Sequence, residues 1–207
     1  MNIRQLVGYI IGMAIFPRRT TERLISDTSR LRIGVVAWLL LSFLYGLVAF
    51  IGGLNGFGAV IPPSLAIPAQ DYYFWMGPLT PVVYLVSFVL LAGLIQLGGK
   101  LLAGAGTFED TFTTVVLAFW LPMFVTMWLF EMPMLVFFPA LRRSALGGLG
   151  YLPEWLDTLR LIAGMIWIIV VVALSARVVQ RISLPKAAML TAIAMVPTMA
   201  VLLTFIR

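Results

Sequence analysis

Five stretches of this chain are long and apolar enough to cross a bilayer, and none carries a charged residue in its interior. They run roughly from Ile33 to Leu54, Val82 to Gly99, Thr111 to Phe130, Leu161 to Ala176 and Ala187 to Ile206. A hydrocarbon core about 30 Å thick takes about 20 residues at helical rise, so the fourth stretch reaches across only if Thr158 and Leu159 join it. Inside lipid every backbone polar group needs an internal partner, which continuous apolar runs of this length satisfy as helices. The expected fold is an all-α membrane protein: a polytopic bundle of five transmembrane helices over residues 33–207, preceded by a cytoplasmic, amphipathic interfacial segment over 1–32.

Composition excludes the main alternatives. Hydrophobic residues make up 62% and charged residues 11%, against about 45–50% and about 25% in soluble domains. The expectation is a single membrane unit with no separate soluble domain. The chain has no cysteine and no histidine, which removes disulfides, thiolate or imidazole metal sites and cysteine nucleophiles. It also removes the side chain that most often moves protons near neutral pH. No cofactor is expected.

The net charge of +6 follows the span ends. Arg4, Arg18, Arg19, Arg23, Arg30 and Arg32 precede the first stretch, and residues 55–81 hold no basic residue. Lys100 lies between the second and third stretches, Arg142, Arg143 and Arg160 between the third and fourth, Arg177, Arg181 and Lys186 between the fourth and fifth, and Arg207 at the end. Basic residues near span ends are retained in the cytoplasm. Placing the N-terminus inside puts ten of the 14 basic residues there, so the C-terminus is expected outside. This distribution marks topology and lipid headgroups, with Arg18, Arg19 and Arg23 as candidate headgroup contacts, and gives no nucleic-acid partner.

Among the first 16 residues, Ile3, Leu6, Val7, Ile10, Ile11 and Ile15 read as one face of a short interfacial helix, with Arg4 snorkelling to headgroups. The alternative is a sixth, partial insertion. Thr20-Thr21-Glu22 then begins like a capped helix. The connection from Asn55 to Pro81 holds five prolines and the cluster Tyr72-Tyr73-Phe74-Trp75, and is expected to be non-helical. Its aromatics are an interface belt, or alternatively a ligand platform. Glu131 to Leu141, bracketed by Pro133 and Pro139, is too short to span and is expected to be re-entrant or interface-lying, with Gly147, Gly148 and Gly150 as a turn after it.

Within the spans, Pro122 and Pro197 fall near mid-depth and free the carbonyls of Ala118 and Ile193, with Thr126 and Trp120 as helpers for the first. Small residues four apart, Ala49 with Gly53, Gly99 with Ala103 and Ala188 with Ala192, are candidate helix contacts. No ionisable group lies within the five stretches, so an ion or proton pathway is not expected.

The most specific local feature is Gly98-Gly99-Lys100-Leu101-Leu102-Ala103-Gly104-Ala105-Gly106-Thr107-Phe108-Glu109-Asp110. Its glycines end one span, Thr107 caps the next, and Glu109 and Asp110 occupy the first turn, where carboxylates favour the positive helix end. Lys100 is near enough in sequence to be their counter-charge. The expected role is structural or partner-facing. A paired-carboxylate catalytic site is the weaker alternative, because neighbours on a helix point about 100° apart.

The run from Gly93 to Phe124 that contains this turn resembles the central signature of the Yip family, membrane proteins named for interacting with Rab-type GTPases. Thr107, Phe108, Glu109 and the Leu121-Pro122-Met123 step occupy the places of that signature. Pro17-Arg18-Arg19-Thr20 resembles the prokaryotic branch. The Asp-Leu-Tyr-Gly-Pro motif of eukaryotic members has no counterpart before the first span, so the resemblance does not carry Rab binding with it. It implies a non-enzymatic scaffold or accessory protein in a prokaryotic plasma membrane, with membrane lipids and a membrane-protein partner or a second copy as partners. The rival reading is a carrier of lipid or a small apolar solute, using a groove between the proline-containing third and fifth spans.

Overall fold

The computed structural model describes residues 2–59, 63–137 and 152–205, the side chains of 134–136 excepted. The helices are α1 (Ile3–Ile15), α2 (Pro17–Ile25), α3 (Arg30–Leu54), α4 (Tyr72–Leu101), α5 (Phe108–Met123), α6 (Leu129–Phe137), α7 (Glu154–Gln180) and α8 (Leu184–Phe205). A π-helical turn, Phe124–Trp128, joins α5 to α6. Five helical runs are long and apolar enough to span: α3, α4 with the short turn before it, α5 through Pro133, α7 and α8. The expected multi-pass membrane bundle is therefore the observed one, and Thr158 and Leu159 do belong to the fourth span.

The N-terminal segment is a helical hairpin docked on the bundle. Gly12 lets α1 and α2 close tightly, since a Cβ there would lie 2.7 Å from Thr20 Oγ1. The expected apolar face is split: Leu6 and Ile10 turn inward with Tyr9, Met13 and Ala14, while Ile3, Val7, Ile11 and Ile15 are exposed. Met13 Sδ accepts from Thr21 Oγ1 of α2 and Ser175 Oγ of α7. Trp167 Nε1 donates to the Ala14 carbonyl at 3.2 Å, which places the hairpin apex beside the middle of α7. About 20 Å of helix separate Trp167 from Gln180. At the other end of α1, Gln5 and Tyr9 both donate to Asp27 Oδ2, at 2.8 and 2.9 Å. The second helix starts at Pro17, ahead of the expected threonine cap, because proline fits the first helical position.

One proline expectation fails for reasons of packing. Pro78 and Pro81 lie inside α4, which starts at Tyr72, so the second span extends into the expected loop. Pro81 frees the Gly77 carbonyl, and the Gly46 backbone of α3 closes on that oxygen: a Cβ at Gly46 would lie 2.6 Å from it. The aromatic cluster becomes the first turn of α4, with Tyr72 and Tyr73 buried and Phe74 and Trp75 exposed. Tyr72 Oη donates to the Phe205 carbonyl, tying α4 to the end of α8.

The segment from Glu131 to Leu141, expected to be re-entrant or interface-lying, is described only as far as Phe137. Glu131–Phe137 continues the third span as helix, with Pro133 inside it, and residues 138–141 and the glycines at 147, 148 and 150 lie outside the described residues. Pro122 is followed at once by the π turn. Thr126 Oγ1 donates to the carbonyl of Pro122 itself and not to that of Ala118, while Trp120 Nε1 donates to Ala37 of α3. Thr198 likewise serves Ala194, not Ile193. Of the small-residue pairs, Gly53 does meet α4, against the Phe74 backbone. Ala188 and Ala192 are exposed, and the inner face of α8 is instead Ala187, Thr191, Ala194 and Thr198.

Candidate functional site

The glycine-rich turn closes around a residue far away in sequence. Thr107 has extended backbone and accepts from the Asp110 amide at 3.2 Å, while its hydroxyl donates to Asp110 Oδ2 at 2.7 Å. This is the expected cap, with Glu109 and Asp110 in the first turn of α5. At the end of α4, Ala103 adopts φ 61° and Gly104 N donates to Gly99 O at 2.7 Å, turning the chain back on itself.

Into this turn projects Gln180, the last residue of α7. A Cβ on Gly99 would lie 2.5 Å from Gln180 Oε1, one on Gly104 would lie 2.9 Å from the Gln180 carbonyl, and one on Gly106 would lie 2.8 Å from its Cδ. Three glycines thus make a socket that no larger residue could make. Gln180 Nε2 donates to Gln96 Oε1 at 2.7 Å and to Thr111 Oγ1 at 2.9 Å. Gln96 Nε2 donates to the Gly106 carbonyl at 2.6 Å, and Ala105 N to the Gln180 carbonyl at 3.1 Å. These hydrogen bonds tie α4, α5 and α7 together at one junction, with Gln180 Oε1 buried against Gly99 and accepting none among the described residues. Gly98 makes room in the other direction, toward Leu190 of α8.

The counter-charge for the acidic pair is Arg30, not Lys100. Arg30 Nε lies 2.6 Å from Asp110 Oδ1, and its Nη2 lies 3.6 Å from Glu109 Oε2. Thr113 Oγ1 donates to the Arg30 carbonyl, and Gly34 packs on Thr113, so the start of α3 is seated on the start of α5. Lys100, Phe108 and Glu109 are exposed, with Phe108 stacked on Phe112. Pro122 lies about 20 Å further along α5 and takes no part in this cluster.

The candidate headgroup arginines share α2. Arg18 pairs with Glu22 at 3.1 Å, Arg19 is exposed, and Arg23 covers the Tyr9 ring at 5.3 Å. Asp27, between α2 and α3, accepts from the Ser29 hydroxyl at 2.7 Å and from its amide at 2.8 Å. These hydrogen bonds, the hydroxyl's first, hold its carboxyl below the usual value. Burial, and then the hydrogen bond to Asp27, push the Tyr9 phenol up.

A second polar cluster lies at the opposite end of the bundle. Arg160 Nη2 meets Asp157 Oδ1 at 2.6 Å, with both side chains under a tenth exposed. Arg160 also donates to the Thr126 carbonyl in the π turn and covers the Phe130 ring. Gly164 lets α7 approach Thr126 closely. Sequence reasoning treated Arg160 as a connection residue and missed this pair, as it missed Gln180 and Arg30. The i,i+3 spacing of Asp157 and Arg160 was the available signal, and for Gln180 it was an uncharged amide beside the Arg181 span end, matching Gln96 on another span.

The family model for the Yip1 domain matches residues 11–206. The chain belongs to the Yip1-domain family. The match begins inside α1 and so takes in the apex of the N-terminal hairpin together with all five Yip1-domain spans. No curated protein and no solved structure matches the chain. The Yip1-domain turn, from Gly98 to Asp110, is thus a built junction of three helices that presents Lys100, Phe108 and Glu109 on a fixed base.

Proposed function

We propose that this Yip1-domain protein is a non-enzymatic scaffold of a prokaryotic plasma membrane, with its N-terminus and glycine turn in the cytoplasm and its C-terminus outside. The observation that carries the reading is the exposed set Lys100, Phe108 and Glu109 on a base locked by Gln180, Gln96 and Thr111. A rigid surface of mixed charge with one aromatic suits docking, because little side-chain and loop freedom is lost on association. The partner is a membrane protein or a second copy of the chain, and Arg18, Arg19 and Arg23 of α2 contact lipid headgroups, the first two by snorkelling from beside the hairpin apex. The acidic residues act as helix-end charges, and nucleic acid has no place in this reading.

The test combines orientation with partner capture. Cysteines at Ser64 and Ser183 should respectively react and fail to react with an impermeant thiol reagent on intact cells. A partner or second copy that co-purifies in mild detergent should be lost on combining Lys100→Glu with Glu109→Lys, with thermal stability lowered by about 1 kcal/mol at most through the exposed helix-end charge. Labelling of Ser183→Cys alone reverses the orientation, and a partner held equally by the charge-reversed protein removes the turn from the interface.

A further inference from the structure

Between the third and fifth spans lies a cavity of about 240 Å³, independent of the glycine turn and of the scaffold reading. Its floor is aromatic, formed by Tyr84, Phe88 and Phe119, all nearly fully buried. Its rim is formed by Met165 of α7, 44% exposed, and Leu203 of α8, 68% exposed. The cavity therefore opens sideways between α7 and α8 toward the lipid phase. It is larger than the ~150 Å³ apolar cavity that stays dry and takes up benzene, and methionines supply four of its lining residues, side chains that adapt to irregular guests.

Two tyrosines, Tyr45 and Tyr84, bring hydroxyls to this otherwise apolar lining. Tyr84 Oη is buried and has no hydrogen-bond partner among the described residues, although a buried hydroxyl ordinarily finds one. The ring sits on the floor, beside Tyr45 and Phe88. Among the described residues no basic or acidic side chain lines the cavity, so a charged or phosphorylated head would be desolvated there without compensation. We infer that this cavity is a binding site for an uncharged lipid, which enters head-first between α7 and α8, places one acceptor oxygen on Tyr84 Oη and leaves its hydrocarbon tail in the membrane.

The test uses the purified protein in phospholipid nanodiscs with three probes bearing the same mid-chain diazirine: hexadecanol, hexadecane and a phosphatidylcholine. Photolabelling should favour hexadecanol and map to the α7 and α8 rim around Met165 and Leu203. Tyr84→Phe keeps the volume and removes the hydroxyl, and should reduce hexadecanol labelling about threefold to tenfold without changing hexadecane labelling. Leu202→Trp should fill the cavity and abolish labelling. Equal labelling by all three probes, unmoved by Tyr84→Phe, would reduce the site to a generic lipid groove and overturn the inference. Absence of labelling at the rim would also overturn it.

Discussion

Gln180 Oε1 lies so near Gly99 that a Cβ on that glycine would be 2.5 Å from it. The end of α7 is seated in the turn between α4 and α5, and the glycines of that turn are there because the amide fills the space where side chains would stand. Chain turning alone would need one residue of positive φ, which Ala103 supplies. In this chain the glycine-rich turn is, in physical terms, a socket for a residue on a distant helix.

The ion pair at the start of α5 should depend on Arg30. Its side chain is partly exposed, so screening limits its worth to about 1 kcal/mol or less. Arg30→Gln should lower thermal stability by that order in detergent, and Lys100→Gln should leave it unchanged. Thr107→Ala removes the cap and should cost about 0.5–2 kcal/mol. Melting followed by circular dichroism would read all three, and a larger loss for Lys100→Gln than for Arg30→Gln would assign the counter-charge to the lysine.

The buried pair Asp157–Arg160 should behave differently. Removing one partner leaves the other uncompensated, at about 3–5 kcal/mol. Asp157→Asn should therefore destabilise far more than Arg30→Gln, and Arg160→Leu should additionally free the Thr126 carbonyl in the π turn. Thermal unfolding that ranks the Arg30 variant as the worse would contradict this order.

The N-terminal hairpin should loosen in acid. Asp27 has a depressed pKa, so its contribution is complete above the unfolded value of about 3.9 and is lost as pH falls through the lower folded value. Tyr9 has a raised one, so its contribution is complete below about 10 and is lost as pH rises through the folded value. The protection of α1 amides, taken relative to their intrinsic exchange rate at each pH, should be greatest between those limits and fall below about pH 4. Asp27→Asn should reduce it at neutral pH, and an α1 that exchanges at one rate in both proteins would show the anchor to be elsewhere.

Apolar run length and charge spacing made the five spans, the cap at Thr107 and the acidic first turn legible, because these are local rules. The prolines were misread: Pro78 and Pro81 looked like loop residues, since nothing local tells that Gly46 will cover the freed carbonyl. Arg30 and Gln180 were missed as site residues because their partners lie on other helices, and Arg160 because its spacing from Asp157 does not tell that the pair is buried. The N-terminal face was half right, Leu6 and Ile10 inside and Ile3 and Val7 outside, since a helix apolar all round does not announce which side meets protein and which meets lipid.

The socket is tested most directly by a double-mutant cycle of Gly99→Ala and Gln180→Ala, read as thermal stability in detergent. Gln180→Ala alone should cost about 1–3 kcal/mol through the lost amide hydrogen bonds. Gly99→Ala alone should also destabilise, by about 1–3 kcal/mol of overpacking against Gln180. In the Gln180→Ala background the same alanine should be neutral or stabilising, because the space is vacant and alanine is the better helix former by about 1 kcal/mol. Additive losses from the two substitutions would contradict the account.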